Sequence, residues 1–576
     1  MTTETRNQPA RLTAIELENF KGVGTRVRVE LKPITLLFGA NSAGKSTILQ
    51  ALQYAREVLE RRNANPDRTL YGGDFVDLGG FRNLVHQRKS SSRISVKLDL
   101  TLNSAGLPDL VPEAFEDWQN LDDEVWAFYN LLQGVRNRIE TLGIQLEVGW
   151  NADRKSALVT RYEVHANGAV LASIEAQHDG RDASIRINPR NSVFIRELTQ
   201  EEIETTASLE DLLPELSNDE QPALQEPAES LSSTGPDETK TTSTYFEILA
   251  MLEEAGIEKP GQGFRQWLTG QDGALPKLEP LLYSPSGKAR GATAVYIARE
   301  FTAFLSSILV GPAIMMRDQL RGLRYLGPIR HVPHREFDAA LTPDEARWAD
   351  GLAAWECLMT GDDKIVRQVS TWMSEPDKLG TGYEVERREV AELGAGLIEA
   401  VKGAVDGAGY SEGLTKELES LRTRPRLELI ESHTGLRAQP RDVGIGISQV
   451  LPVVVAALEP SATLVVIEQP ELHVHPAVQV GLGDLFVRAA TDNGSLFLIE
   501  THSEHLILRL LRRIRETTEG ELPPGLPPLG PEQVGVVYVE RGEAGVKLTA
   551  VPIDKSGEFT SRWPAGFFEE RAGELF

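Results

Sequence analysis

The stretch Gly39-Ala40-Asn41-Ser42-Ala43-Gly44-Lys45-Ser46-Thr47 has the spacing G-x-x-x-x-G-K-[ST] of a phosphate-binding loop. Before it, Ile34-Thr35-Leu36-Leu37-Phe38 is apolar and rich in strand formers, as a buried strand should be. After it, Ile48 to Ala55 places apolar residues at helical spacing. Strand, glycine loop and helix together separate a working loop from a chance glycine turn. Glycines let backbone N–H groups turn inward around a phosphate, and the helix N-terminus adds its positive end. In this arrangement Lys45 reaches the β- and γ-phosphates and Ser46 holds Mg²⁺ through its hydroxyl. The expected nucleotide contacts are Gly39, Asn41, Ser42, Ala43, Gly44, Lys45, Ser46 and Thr47, with ATP and Mg²⁺ as cofactors.

The rest of the composition sets bounds. A chain of 576 residues is too long for one ordinary core, so two or three domains are expected. Apolar residues make up 41% and charged residues 25%, a balance typical of globular proteins. No uninterrupted apolar run approaches the ~20 residues that span a bilayer, and Met1 to Ala10 lacks the apolar core of a secretory signal. No membrane partner and a cytoplasmic location are therefore expected. The one cysteine, Cys357, excludes internal disulfides and cysteine-based zinc clusters, and reads as a small buried residue. A net charge of −25 argues against a protein that coats nucleic acid over its whole surface, while leaving room for a local basic groove.

Upstream of the loop, Leu12 to Leu17 and Thr25 to Leu31 read as a hairpin around Asn19-Phe20-Lys21-Gly22, the second run alternating with period two. This opening, running into I-T-L-L-F-G-x-N-x-A-G-K-S, resembles the ABC-type ATPase heads of SMC, RecF and OLD-family proteins over roughly the first fifty residues. The resemblance implies an α/β fold. It would be an ABC-type P-loop head, a mixed sheet with a flanking antiparallel β-subdomain and a large, mainly helical insertion before the signature motif. It also implies a loop glutamine that touches Mg²⁺ and the attacking water. Gln87 has the position for it, although an ordinary polar loop residue fits equally well.

The expected division is 1–200 for the first half of the head, 201–242 for an acidic loop, 243–425 for the insertion, 426–520 for the second half, and 521–576 for a hairpin and tail. Alternating runs at 93–102, 143–150, 157–165 and 183–187 suggest the antiparallel sheet. Between Glu201 and Lys240, twelve Asp and Glu accompany one Lys and no aromatic residue, the composition of a solvated acidic loop. A basic stretch follows, with Arg321, Arg324, Arg330 and Arg335 interleaved with Gly327-Pro328 and Pro333. It reads either as a contact for nucleic acid or a partner protein, or as a solvated face paired to carboxylates. No sustained heptad run marks a long coiled-coil arm.

The second half of the site begins at Asp442-Val443-Gly444-Ile445-Gly446-Ile447-Ser448-Gln449, a glycine-rich lead into an apolar helix. It resembles the ABC signature, which implies that Gly446, Ser448 and Gln449 meet the γ-phosphate held by the opposite subunit. Leu464-Val465-Val466-Ile467 then ends in Glu468-Gln469-Pro470-Glu471, a buried strand delivering a carboxylate to the Mg²⁺ shell. Where ABC ATPases carry a water-activating glutamate this chain has Gln469, which cannot accept a proton as a carboxylate does. Either Gln469 orients the water, or Glu471 is the base, or hydrolysis is slow. His473 and His475 read as interface residues, or less simply as metal ligands. Leu496 to Glu500 leads into Thr501-His502-Ser503, and the resemblance makes His502 the γ-phosphate sensor.

The family resemblance implies a homodimer closed by an ATP sandwich, with assembly beyond a dimer left open. No acidic metal cluster of an OLD-type Toprim nuclease follows His502. A separate effector, nuclease or toxin, is therefore expected. The expected function is an ATP-gated sensor and scaffold in a prokaryotic anti-phage system, similar to the ATPase subunits of the PARIS, Septu or retron-associated systems. The alternative is a RecF-like, DNA-binding repair ATPase.

Overall fold

The structure is a computed structural model that describes residues 10–66, 76–102, 106–110, 122–197, 241–257, 272–279, 291–335, 337, 345–391, 393–405, 412–561 and 563. The acidic stretch from Glu201 to Lys240 lies outside the described residues. The chain forms two compact units.

The larger unit comprises Ala10–Leu100, Leu146–Val159 and Met315–Phe576. Its centre is a six-stranded sheet in the order Leu323–Leu326, Leu464–Glu468, Leu496–Glu500, Ile34–Phe38, Val534–Gly542, Gly545–Ala550. The first five strands run parallel and the last pairs antiparallel to its neighbour. Every residue of Ile34–Phe38, Leu464–Glu468 and Leu496–Glu500 is buried, which is why these runs are continuously apolar instead of alternating. Each Val, Leu or Ile so enclosed contributes roughly 1.5–3 kcal/mol. The helix Ile445–Leu458 covers the sheet, with every side chain from Val450 to Leu458 buried in the same core as Phe486, Phe497 and Trp355.

The opening hairpin forms as expected: Arg11–Glu18 pairs antiparallel with Val27–Glu30, Ala14 opposite Glu30. Ile94–Thr101 alternates strictly, burying Ile94, Val96, Leu98 and Leu100 and exposing the residues between them to solvent in part. The hairpin expected within 521–576 also forms, from Val534–Gly542 and Gly545–Ala550, and its first strand is hydrogen-bonded directly to the loop strand, Val536 opposite Leu36.

The stretch expected as a mainly helical insertion, 243–425, does not hold together. Residues from Met315 onward belong to the larger unit. Leu323–Leu326 is a strand of the central sheet, and Tyr383–Ala391 pairs antiparallel with Thr423–Glu431 in a second small sheet. The charged faces of Tyr383–Ala391 (Glu384, Glu386, Arg388) hide the period-two signal that would have marked it as a strand.

The smaller unit comprises residues 101–145 and 160–314 of the described chain. In it, residues 161–166 of the strand Ser156–Ala166 pair antiparallel with Ala169–Ala176, which pairs antiparallel with Ala183–Ile187. Helices Asp123–Asn137, Thr244–Glu254 and Ala292–Leu309 accompany them, and the buried Tyr162 hydroxyl donates to the Leu309 carbonyl at 2.8 Å. The helical run Ala292–Arg321 is the single stretch among the described residues long and apolar enough to cross a bilayer, its most apolar 18-residue window having a mean hydropathy of 1.3 and being 72% buried.

Candidate nucleotide site

The loop itself is shaped by three left-handed residues, Gly39, Ser42 and Gly44, at φ 145°, 61° and 108°. A Cβ on Gly39 would fall 2.0 Å from the Val539 carbonyl oxygen, and one on Gly44 2.4 Å from Val546 Cγ2, so the terminal hairpin tolerates only glycine at both places. The helix Lys45–Arg61 starts at once, and in its first turn the Thr47 N–H donates to the Gly44 carbonyl at 3.1 Å. Asn41 and Ser42 are exposed, whereas Ala43 and Thr47 are buried. Lys45 is 3% exposed. Its ammonium donates to the Gly39 and Ala40 carbonyls at 2.9 and 3.0 Å and sits 3.6 Å from Glu500 Oε1. Burial lowers its pKa, against the pull of Glu500, Glu471 and Glu468. Ser46 Oγ donates to Glu500 Oε2 at 2.7 Å.

Three carboxylates converge on this lysine. Glu468 and Glu500 end adjacent parallel strands and stand opposite each other in register. The Tyr325 hydroxyl donates to Glu468 Oε1. Burial pushes the Glu468 carboxyl above its ordinary range, opposed in part by Tyr325 and Ser46, and the same burial raises the Tyr325 phenol well above its own. Glu471 is held by the Thr501 hydroxyl at 2.8 Å and the His502 amide at 2.6 Å, and burial raises its pKa as well. His502 Nε2 is buried without a hydrogen-bond partner, and burial followed by the Lys45 charge lowers the imidazole pKa. Gln469 adopts φ 46° and donates its amide to the Glu500 carbonyl at 2.8 Å.

Lys45, Ser46, Glu468, Glu471 and His502 thus come from three strand ends and meet. Glu500 and Tyr325 join them without having been marked by the sequence. Glu500 sat inside an apolar strand next to the more conspicuous His502. Tyr325 lies on a four-residue strand buried on both faces, with no alternation to reveal it.

Ser448, Gln449, Arg324 and Arg330 are buried against expectation, whereas Gln87, His473 and His475 are exposed. Gln87 is exposed on the short turn His86–Arg88, at φ 53°. Ser448 is 1% exposed, one turn inside its helix, and donates to the Pro440 carbonyl at 2.9 Å, so its hydroxyl is not presented to a second subunit. Gln449 is buried as well, exchanging hydrogen bonds with the backbone of Arg330. At the exposed start of that helix stand Gly444 and Ile445, with the half-buried Gly446 next to them. Two of the four basic-stretch arginines are internal. Arg324 is 8% exposed, bonded to Glu459 and Ser461, and Arg330 is 2% exposed. Arg330 donates to the carbonyls of Glu468 and Gln469 at 2.6 and 3.3 Å and of Gln449 at 3.4 Å, with its charge used inside the fold. Arg321 and Arg335 are exposed but paired, the first near Glu60 and Asp318, the second bidentate to Asp442. His473 and His475 are exposed, and His475 caps the next helix by accepting from the Ala477 amide. Among the described residues no group of three or more His, Cys, Asp or Glu side chains is placed to hold a metal ion.

Residues 11–95 match a family model described as "AAA ATPase domain", and residues 300–509 one described as "AAA domain, putative AbiEii toxin, Type IV TA system". Residues 529–576 match "Protein of unknown function (DUF3696)". Both halves of the site therefore lie in stretches that match ATPase-domain models. No curated protein matches the chain. Similar solved structures include an SMC head bound to the C-terminal winged-helix domain of ScpA, at 10% identity and TM-score 0.37, covering 95% of this chain and 99% of that one. Another is the SMC head with an extended coiled coil bound to the C-terminal domain of ScpA from Pyrococcus furiosus, at 10% identity and TM-score 0.35, covering 98% of each chain. The SMC head domain from Thermotoga maritima matches at 9% identity and TM-score 0.33, covering 94% and 100%. At those scores the likeness adds nothing to the fold read from the strands themselves.

Proposed function

We propose that this protein binds ATP with Mg²⁺, hydrolyses it slowly, and acts in the cytoplasm as an ATP-gated dimeric sensor and scaffold that controls a separate effector, a nuclease or toxin, in prokaryotic defence. The observation that carries the ATP-dependent part is the meeting of Lys45 and Ser46 with Glu468 and Glu500 beside the unpartnered His502 Nε2. The residues fit the cofactor. Mg²⁺ takes one or two carboxylates plus substrate phosphates instead of an all-protein cage, which suits a site without a three-ligand cluster. Ser46 and Glu468 would hold the ion, and its chemistry there is to neutralise charge on the phosphates.

Lys45 binds the phosphates, and His502, kept neutral by burial and by Lys45, offers a ring nitrogen for a hydrogen bond to the terminal phosphate. Glu471, with a raised pKa and bonds to Thr501 and His502 that fix its orientation, is the carboxylate able to take a proton from water. Gln469 contributes orientation alone. This division of labour suits slow turnover. The second copy contributes the exposed helix start at Gly444–Gly446 through its backbone amides, in place of the Ser448 hydroxyl.

The defence role is supported by the toxin–antitoxin wording of the match over 300–509. A RecF-like DNA-binding role is weakened because Arg324 and Arg330 are internal and Arg335 is engaged by Asp442. The test combines steady-state ATPase assays with mass determination, with and without ATP and duplex DNA. ATP-dependent dimers with slow turnover indifferent to DNA support the gated scaffold. Strong, salt-sensitive stimulation by DNA transfers the assignment to repair.

A further inference from the structure

We propose that Glu500 is a metal-shell carboxylate of the site, holding the divalent cation beside Ser46 together with Glu468. The inference rests on the ATP-binding reading and adds a residue to it. Glu500 ends the strand Leu496–Glu500, which lies between the strand that feeds the phosphate loop and the strand that ends in Glu468. Its carboxylate engages both functional side chains of the loop. Oε2 accepts from the Ser46 hydroxyl at 2.7 Å, and Oε1 lies 3.6 Å from the Lys45 ammonium. Its backbone carbonyl also accepts the Gln469 amide at 2.8 Å, which ties the strand end to the turn after Glu468.

Glu468 is differently placed. One of its oxygens is engaged by the Tyr325 hydroxyl, a phenol enclosed in the core. That bond fixes the Glu468 side chain and takes up a lone pair that a metal would otherwise use. Glu471 is occupied by Thr501 and the His502 amide. Glu500 accepts the 2.7 Å hydrogen bond of the very hydroxyl that the loop motif assigns to the cation, and Glu468 lies close enough to feel the same hydroxyl. A hard cation that keeps one or two carboxylate ligands and completes its shell with phosphate oxygens and water matches a Glu500–Ser46–Glu468 edge. Without the cation, the carboxylates facing Lys45 oppose an incoming polyphosphate. Glu500 therefore makes nucleotide binding depend on the metal.

The probe is a fluorescent ATP analogue titrated into the full chain, once with Mg²⁺ and once with EDTA, in the wild type, Glu500→Gln, Glu500→Asp, Glu468→Gln, Ser46→Ala and the double variant Ser46→Ala/Glu500→Gln. The wild type is expected to bind more tightly with Mg²⁺. Glu500→Gln is expected to lose that Mg²⁺-dependent gain by at least about tenfold while binding metal-free analogue as well as the wild type or better. Intact binding in EDTA also shows that this variant is folded. Glu500→Asp, which keeps the charge one methylene short, should retain part of the gain. The double variant should lose no more than the larger single loss, the signature of two groups acting on one ion. A full Mg²⁺ gain in Glu500→Gln, with the gain lost in Glu468→Gln, overturns the proposal and leaves the ATP reading standing. Additive losses in the double variant overturn it too. A wild-type protein that binds no analogue under either condition overturns the ATP reading and this inference with it.

Discussion

Arg330 donates from its buried guanidinium to the backbone carbonyl of Glu468 at 2.6 Å, while its own backbone exchanges two hydrogen bonds with the Gln449 side chain. One residue thereby joins the helix Ile445–Leu458 to the strand end that carries the site's acid. Its pKa is lowered by burial to about 10, so it remains cationic at neutral pH.

Arg330→Ala strands the carbonyls of Glu468, Gln469 and Gln449 in the interior. The expected cost is about 2–4 kcal/mol, seen as a lower denaturant midpoint at unchanged slope. Arg330→Lys should recover little of it, because one ammonium cannot span the carbonyls that the planar fork reaches.

Tyr325→Phe removes the hydroxyl that fixes Glu468 and keeps the ring in the core. ATP turnover should fall about tenfold or more, the usual worth of a hydrogen bond to a charged group, with ATP affinity nearly unchanged. Steady-state kinetics beside an equilibrium binding titration separates the two effects.

Ser448→Ala distinguishes the structure from the motif reading. The hydroxyl donates to Pro440, so its loss should cost about 1 kcal/mol of stability and leave ATP-dependent dimerisation intact. Thermal melts and mass measurements with ATP check both outcomes. Abolished dimerisation in a stably folded variant would return the hydroxyl to the interface.

The local parts of the site were legible because each is written in consecutive residues. The loop Gly39–Thr47, the acid ending Leu464–Glu468 and His502 after Leu496–Glu500 all carry their context beside them. Glu500 and Tyr325 were not legible, because their roles depend on strand order. Only when Leu496–Glu500 lies between Ile34–Phe38 and Leu464–Glu468 does Glu500 reach Ser46, and only when Leu323–Leu326 pairs with Leu464–Glu468 does Tyr325 reach Glu468. Arg324 and Arg330 misled for a related reason. Charge is usually solvated, and nothing local shows that carbonyls and a carboxylate elsewhere in the chain enclose these two. Ser448, part of the expected glycine-rich lead into the helix, lies inside it, because the helix begins at Ile445.

Cys357 is half-buried against the core, and burial pushes its thiol up to about 11. Alkylation of the native protein at pH 8 should run on the order of a hundredfold more slowly than that of a free thiol, and denaturant should restore the ordinary rate. Fast labelling of the native chain would show that this part of the core opens readily.

The most direct test of the account is an equilibrium titration of ATP into the wild type and Lys45→Ala, with Mg²⁺ present and both proteins shown to melt alike. Saturable binding by the wild type and its loss in the variant are expected, since Lys45 is the cation on which the loop and the three carboxylates converge. Equal affinity in the two proteins would contradict it and remove the phosphate loop as the seat of function.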